Sequence, residues 1–260
     1  KPIMGMSSLG LSLSRASQAR IHINEILRLS QESVRGTSIV NFQGRVAFHD
    51  LAFFFPESSG PLFETTNLRL EPGQRLIVIG GNGTGKTTLA RLLLGLIYPL
   101  RGQILIDGID LRQVNQEWWR QNVMYMPQEP TFLDDTIAAN IKINKPDLPD
   151  EALEMIVDQS DMRKFIDASQ DGLQTRLTAQ GTHLSVGIRR RISLARALAS
   201  QARVAIFDEP TEGLDQNGRK AVYQLLTQLS KGGSTMIVFS NDPVIYNAPG
   251  WHLNLDQKPI

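Results

Sequence analysis

The sequence predicts an α/β fold built on a parallel β-sheet. Three apolar runs, at residues 76–79, 204–207 and 236–239, have the length of strands that are buried on both faces. Continuously apolar strands separated by helical stretches are typical of parallel sheets, because helices cover both sides of such a sheet. A glycine-rich segment follows the first of these strands directly, and a helical pattern follows that segment. We therefore expect a parallel core that carries a glycine-rich loop between a strand and a helix.

Length and composition are those of an ordinary globular chain. The 260 residues allow one large domain or two small ones. Lys and Arg number 27 against 26 Asp and Glu, so the strongly basic surface of a dedicated DNA or RNA binder is not expected. The absence of cysteine excludes disulfides, thiolate metal sites and a cysteine nucleophile. No window has the roughly 18–20 consecutive apolar residues of a membrane-spanning helix, so a soluble domain is expected.

The first part of the chain is expected to differ from the rest. Residues 9–30 combine many polar residues with an apolar stripe that includes Leu13, Ile23 and Leu27, which predicts an amphipathic helix. The helix packs on the domain or is the end of a longer helix, and the pattern leaves both open. The polar, glycine-containing stretch 30–44 predicts a linker. Because the chain begins with Lys1 rather than Met, a fragment or processed product is expected.

Short apolar runs separated by turn residues begin at Arg45 and predict further strands. They lie at 46–48, 51–55, 68–70 and 104–106, and an Asp-Gly turn follows the last of them. Between 130 and 199 the pattern is mostly helical. The sequence contains no internal repeat.

Residues 80–87 match the pattern G-x-x-x-x-G-K-[ST] of a phosphate-binding P-loop. Glycines let the backbone turn its N–H groups around phosphate oxygens, and the helix that starts near Gly85 points its positive end at the same anion. Lys86 supplies a cation for the β- and γ-phosphates, and the Thr87 hydroxyl is placed to ligate Mg²⁺. We therefore predict that the chain binds a nucleoside triphosphate. The predicted contacts are Gly80, Gly81, Asn82, Gly83, Thr84, Gly85, Lys86, Thr87 and Thr88.

A second candidate element is the strand at 204–207, which ends in Asp208 and Glu209. Open α/β sheets bind ligands at the carboxyl ends of their strands. Asp208 would hold Mg²⁺ directly or through water, and Glu209 would polarise an attacking water as general base. Alone, such a pair is often only the start of a loop, but together with a P-loop it predicts a nucleotide-hydrolysing site.

The order of these motifs resembles the nucleotide-binding domain of ATP-binding cassette (ABC) transporters. The resemblance is carried by the P-loop, Gln128, Leu-Ser-x-Gly at 184–187, Asp-Glu-Pro-Thr at 208–211 and Leu-Asp at 214–215. The stretches 51–56, 124–130 and 136–141 are similar to the exporter branch, in which this domain follows six membrane helices. The resemblance extends from about residue 45 to the end of the chain.

This resemblance implies a particular domain organisation. Residues 44–260 would form a P-loop NTPase ABC cassette with a RecA-like parallel-sheet core, an antiparallel β subdomain and an α-helical subdomain at about 130–199. Residues 1–43 would be the end of the transmembrane region with a connector helix and linker. That interpretation accounts for both the missing Met and the predicted helix ahead of the domain.

Several residue roles are implied by the same resemblance. Phe55 matches the aromatic residue that stacks on adenine, although a core aromatic in a Phe-rich strand is the alternative. Gln128 matches the glutamine that reaches Mg²⁺ and the water, in a loop that the transmembrane part contacts. Asp215 matches a loop that crosses a dimer interface. Ser185 and Gly187 would contact the γ-phosphate of ATP bound to a second such domain.

Three places depart from the family pattern. Val186 and Ile188 stand where the signature Leu-Ser-Gly-Gly-Gln has glycine and glutamine, so a branched side chain occupies a place that favours close approach. Asn241 stands where the family has a histidine that touches the γ-phosphate, and an asparagine donates a hydrogen bond without charge. Ala179 replaces a glutamate in a loop that contacts the transmembrane part. The arginine run 189–191 is expected to be a solvated helix face.

Together these observations predict the ATPase of an ABC exporter dimer, on the cytoplasmic face of a membrane, with ATP and Mg²⁺ as cofactors. The expected partners are a second nucleotide-binding domain, identical or different, and a transmembrane domain on the same full-length chain. The main alternative is a mostly non-hydrolytic regulatory half of a heterodimer; a soluble ABC-type ATPase and an unrelated P-loop kinase or GTPase are further alternatives. The catalytic residues would be Glu209, Lys86, Gln128 and Asn241, and the Mg²⁺ ligands Thr87, Gln128 and Asp208.

Overall fold

The computed structural model describes residues 2–28, 36–54, 61–200 and 202–257. Its contacts divide the chain into two units, residues 1–34 and 35–260, and each is described by itself. The first unit contains helix α1 (Pro2–Arg28). No helix in the described part of the chain is long and apolar enough to cross a membrane. The predicted linker at 30–44 is described only from residue 36, and Phe55 lies outside the described residues.

The second unit combines two β-sheets with a set of helices. Its strands are β1 (Val46–Phe53), β2 (Phe63–Leu70), β3 (Arg75–Ile79), β4 (Arg101–Ile106), β5 (Ile109–Asp110), β6 (Val123–Met126), β7 (Val204–Asp208), β8 (Thr235–Phe239) and β9 (Trp251–Asn254). Its helices are α2 (Lys86–Leu93), α3 (Gln116–Asn122), α4 (Ile137–Ile141), α5 (Asp150–Gln159), α6 (Arg163–Ala168), α7 (Val186–Ser200), α8 (Gln216–Lys231) and α9 (Pro243–Tyr246). Short 3₁₀ helices lie at Leu111–Gln113, Lys142–Asn144, Gly172–Gln174 and Ala179–Gly181.

The larger sheet is parallel and has the strand order β6-β7-β8-β3-β9. Strands β3, β7 and β8 contain the three apolar runs, so the predicted parallel core is confirmed. Alternate side chains of a strand face opposite sides of the sheet. In β3, Leu76 and Val78 join the core that includes α2, whereas Ile77 joins the core that includes α8. Because both faces are covered, the strands are apolar at consecutive positions, with polar residues only at the ends, at Arg75, Asp208 and Thr235.

The second sheet is antiparallel and has the order β2-β1-β4-β5. The sequence predicts separate strands at 46–48 and 51–55, but the structure has one strand, β1. Pairing continues across a bulge at which Asp50 adopts a φ of 50° and the register with β2 shifts between Phe48 and Leu51. The bulge keeps both of these apolar side chains buried in one core.

Helices α4 to α7 pack around a third apolar core. The buried side chains there include Ile137, Ile141, Leu153, Val157, Ile166 and Ile192. Pairs such as 137/141 and 153/157 are four residues apart, which is the periodicity of an apolar helix face. The parallel core, the antiparallel sheet and this helical layer confirm the predicted fold class.

The carboxyl ends of four parallel strands lie at one edge of the larger sheet. The P-loop follows β3, Gln128 follows β6, Glu209 follows β7, and Asn241 follows β8. Ligands bind at this edge in open α/β sheets. The fold therefore gathers candidate residues from four separate parts of the chain at one place.

Candidate nucleotide-binding site

The glycine-rich loop connects Ile79, at the end of β3, to Lys86, the first residue of α2. Gly85 has a φ of 105°, and a Cβ atom there would lie 2.5 Å from Cδ2 of Leu62. Both the backbone conformation and the close approach therefore require glycine at position 85. The first N–H groups of a helix have no partner within the helix, so the start of α2 offers donors to an anion.

A cleft of about 490 Å³ opens in front of this loop. Its size suits an organic ligand, because ligand pockets usually measure about 300–1,000 Å³. The residues that line it are Leu62, Gly81, Asn82, Gly83, Gly85, Lys86, Thr87, Thr88, Gln128, Glu209 and Glu212. Of the predicted loop contacts, Gly80 and Thr84 are not among the lining residues; the Thr84 hydroxyl instead donates to the carbonyl of Gly81 at 3.0 Å and stabilises the turn.

The ammonium group of Lys86 is folded back onto its own loop. Its Nζ atom donates to the carbonyl oxygens of Gly80 at 2.6 Å and Gly81 at 3.2 Å. It also lies 3.5 Å from Oε1 of Glu209. The side chain is buried, so these partners compensate a charge that is removed from water. Phosphate oxygens are stronger partners for an ammonium than carbonyls are, so an incoming triphosphate has a cation ready at this point.

Thr87 lines the cleft and is bonded to Asp208, which is buried and is not one of the lining residues. The Thr87 hydroxyl donates to Oδ2 of Asp208 at 3.0 Å. Oδ1 of Asp208 is buried and has no hydrogen-bond partner among the described residues. Burial raises the pKa of Asp208. An unsatisfied buried carboxylate oxygen beside a hydroxyl fits a hard cation such as Mg²⁺, which prefers oxygen ligands.

Glu209 lies directly beyond the end of β7 and turns its carboxylate towards Lys86. Its backbone is left-handed, with a φ of 47°, and its N–H donates to the carbonyl of Phe239 at 2.9 Å. A left-handed conformation is uncommon for a residue with a side chain, and such strain is often kept at functional sites. Burial raises the pKa of Glu209, while Lys86 acts in the opposite direction.

Two of the predicted catalytic side chains, those of Gln128 and Asn241, lie at this edge of the sheet. Gln128 is hydrogen-bonded to a carboxylate and Asn241 to the backbone. Nε2 of Gln128 donates to Oε2 of Glu212 at 2.9 Å, and both residues line the cleft together with Thr87. Asn241 bonds the backbone of Gly80.

Residues of the altered signature lie apart from the cleft. Ser185 precedes α7, and its hydroxyl accepts the N–H of Ile188 at 3.3 Å. Gly187 does not line the cleft either. Val186 is 49% exposed and borders a separate cavity of about 330 Å³ with Gly213. The Ile188 side chain packs against the core of the helical layer.

The expectation of a solvated arginine face at 189–191 is wrong for Arg190, which is buried. Arg191 is also mostly covered and pairs with Asp161 and Asp215. The helical periodicity held a signal for this, because Arg190 precedes the buried Leu194 by four residues and therefore lies on the same face of α7.

A further residue that the sequence reasoning missed is Asp256, which follows β9. Its carboxylate accepts the N–H of Gly81 at 2.9 Å and 3.2 Å, one distance for each oxygen. The two residues are 175 positions apart. No sequence pattern pointed to this contact.

Comparison with known proteins relates this geometry to one family. Residues 63–212 match the family model described as ABC transporter. The chain is 32% identical over 257 residues to multidrug resistance protein pgp-1 of Caenorhabditis elegans, covering 95% of this chain and 20% of that protein. It is 29% identical over 248 residues to an ATP-dependent lipid A-core flippase of Chromobacterium violaceum, covering 95% of this chain and 42% of that protein. The chain thus spans less than half the length of these relatives.

A solved structure of a bacterial Atm1-family ABC exporter with ATP bound has the same fold. The TM-score is 0.79 at 23% sequence identity, and the match covers 97% of this chain and 46% of that one. At this identity the match shows the fold alone.

Proposed function

Because this chain belongs to the ABC transporter family and is its ATP-binding domain, we propose that it hydrolyses ATP and that hydrolysis powers export of a substrate across a membrane. The observation that carries the proposal is that Lys86, Thr87 and Glu209 line one cleft, with Asp208 bonded to Thr87 directly behind it. A carboxylate beside the triphosphate site opposes binding of the anion through its charge, but it can accept a proton from an attacking water.

In this proposal the triphosphate replaces the loop carbonyls as the partner of Lys86. Its oxygens also meet the backbone N–H groups of the loop and of the first turn of α2. Mg²⁺, held by Thr87 and Asp208, would neutralise charge on the β- and γ-phosphates. Catalysis of phosphoryl transfer rests mainly on such positioning and charge stabilisation.

Glu209 acts as general base in the hydrolytic step. Water attacks the γ-phosphorus, its proton passes to the carboxylate, and the bond from the γ-phosphorus to the bridging oxygen breaks to leave ADP and inorganic phosphate. The pKa of Glu209, raised by burial, makes this carboxylate a better proton acceptor than an exposed one. Lys86 stabilises the charge that develops on the transferring group.

The proposal includes a second nucleotide-binding domain. Ser185 and Gly187 do not line the cleft of their own chain, so their role here is to contact ATP bound to a partner domain, identical or related. A transmembrane domain on the same full-length chain would carry the substrate. This domain would then lie on the cytoplasmic face of the membrane.

A mostly non-hydrolytic regulatory half of a heterodimer is the second candidate function. It is favoured by Val186, whose exposed branched side chain stands at the start of α7, and by Asn241, whose amide is engaged with Gly80. The Glu209 carboxylate, which lies close to Lys86 and is the proposed general base, favours the first candidate function, ATP hydrolysis.

The two candidates differ in turnover by the isolated chain. The rate of Mg-ATP hydrolysis is measured at increasing protein concentration for the wild-type chain and for the variants Glu209→Gln and Lys86→Ala. The first candidate predicts a rate that rises faster than linearly with protein concentration. The rate should fall at least about 100-fold in Glu209→Gln. In Lys86→Ala both ATP binding and hydrolysis should be lost. Tight ATP binding without turnover above the Glu209→Gln level would overturn it and support the regulatory half.

A further inference from the structure

Arg190 joins helix α7 to the residue proposed as general base. Its side chain is only 3% exposed. Nη1 donates to the backbone carbonyl of Glu209 at 2.6 Å, and Nη2 donates to Oε2 of Glu212 at 3.2 Å. Nε of Arg190 is buried and has no hydrogen-bond partner among the described residues, so the bonds of Nη1 and Nη2 are the ones that hold the buried guanidinium in place.

The contact with Glu209 falls on a strained peptide. A left-handed backbone is unfavourable for a residue with a side chain, and Glu209 has a φ of 47°. The Arg190 donor bonds the carbonyl of that same residue. Since the peptide orientation sets where the side chain leaves the backbone, this bond helps to fix the carboxylate opposite Lys86.

Arg190 is also connected to Gln128, through a shared hydrogen-bond acceptor. Oε2 of Glu212 accepts from Arg190 and from Nε2 of Gln128. The carboxylates near Arg190 are those of Glu212, Glu209 and Asp208; they raise the pKa of the guanidinium, whereas burial lowers it more. One buried cation therefore ties α7, the strand end at β7 and the loop after β6 together.

We propose that Arg190 is a positioning residue for ATP hydrolysis, acting through the backbone of Glu209 and, with Glu212, through Gln128. The inference rests on the proposed function. Arg190 does not line the cleft that would hold the nucleotide, so its loss affects the chemical step and leaves ATP binding intact. Movement of α7 would be transmitted directly to the general base.

The test is Arg190→Met, which keeps an unbranched apolar stem and removes the charge and the donors of the guanidinium. Misplacing a catalytic group by about 1 Å costs about 100-fold in rate, so kcat is expected to fall about 10- to 100-fold while KM for ATP changes less than about threefold. Arg190→Lys, which retains the positive charge and has one ammonium group as donor, should recover part of kcat.

The matched control is Arg196→Met on the same helix. Arg196 is also largely covered and bonds the backbone of Asn140 and Thr131, with no contact to Glu209. It should keep kcat within about threefold at temperatures where both variants are folded. Unchanged kcat in Arg190→Met, or equal losses in the two variants, would overturn the proposal.

Amide hydrogen exchange of residues 207–213 in the nucleotide-free protein is a readout that needs no turnover. Arg190→Met should speed exchange there by about tenfold or more, whereas Arg196→Met should not. If the wild-type chain shows no hydrolysis but this difference is present, the proposed ATPase function fails while the contact to Glu209 keeps its positioning effect. If exchange is unchanged, the positioning role is overturned.

Discussion

The side-chain amide of Asn241 makes two hydrogen bonds to the backbone of Gly80. Nδ2 donates to the carbonyl oxygen at 3.0 Å, and Oδ1 accepts from the N–H at 3.4 Å. That carbonyl also accepts from Lys86. The residue that follows β8 therefore holds the first glycine of the P-loop, which follows the neighbouring strand β3.

Replacing Asn241 by Asp should weaken ATP binding, because a carboxylate oxygen would then face the carbonyl of Gly80 in place of a donor. An ordinary intramolecular hydrogen bond contributes about 0.5–1.5 kcal/mol, so Kd for Mg-ATP should rise about 2- to 13-fold. Calorimetric titration measures this. Asn247→Asp adds the same charge at an exposed position nearby; an equal effect there would assign the change to net charge alone.

Replacing Asp256 by Asn should tighten ATP binding at low ionic strength. The asparagine oxygen still accepts the N–H of Gly81, while the negative charge that opposes a triphosphate is removed. An exposed charge interaction is worth about 0.2–1 kcal/mol, which corresponds to a Kd lower by about 1.5- to 5-fold. The gain should shrink in high salt, where screening shortens the range of the charge.

The exposed Asp171→Asn is the control for the general effect of losing a charge. If Asp256→Asn weakens binding instead, the carboxylate mainly orders the loop rather than competing with phosphate.

Replacing Val186 by Gly should raise the ATPase rate of the dimer. Val186 is exposed at the start of α7, and in the proposed dimer its branched side chain would keep the backbone away from the partner's nucleotide. Recovery of one close contact worth about 1.4 kcal/mol would raise kcat about tenfold. Val186→Ala should give a smaller increase, since it removes the branch but keeps Cβ. Unaltered rates in both variants would show that position 186 does not face the phosphate.

Replacing Glu209 by Gln should stabilise the fold at neutral pH. Because burial raises the pKa of Glu209 in the folded chain, the wild-type contribution is fully present below the unfolded pKa of about 4.3 and is lost as pH rises through the folded pKa. At pH 7 the variant should have the higher Tm, and about 1 kcal/mol corresponds to about 2–4 °C for a chain of this size. Thermal unfolding at pH 7 and pH 4 measures it.

The difference should vanish at pH 4, where both side chains are neutral. Glu64→Gln, at an exposed position, is the control for the general effect of removing one carboxylate. A lower Tm for Glu209→Gln at pH 7 would mean that the pairing with Lys86 outweighs burial.

The parallel core could be predicted because its signal is local. The strands β3, β7 and β8 are covered on both faces, so each is apolar at consecutive positions. By contrast, β9 at the sheet edge is largely exposed or half-buried, and its sequence Trp-His-Leu-Asn has no continuous apolar run. The sequence predicts β1 as two strands, at 46–48 and 51–55, because the bulge at Asp50 interrupts its alternation.

The P-loop and the two carboxylates at the end of β7 were determined by the sequence alone. Their chemistry depends on neighbours in sequence: a glycine that must be left-handed, a lysine that begins a helix, and acids that end a buried strand. What only the tertiary structure decided is which side chains these groups contact. Asn241 and Gly80 are 161 residues apart, Gln128 and Glu212 are 84 apart, and Arg190 and Glu209 are 19 apart on different elements. Such contacts depend on strand order and on the packing of α7 against the sheet, and no local pattern in the sequence encodes either.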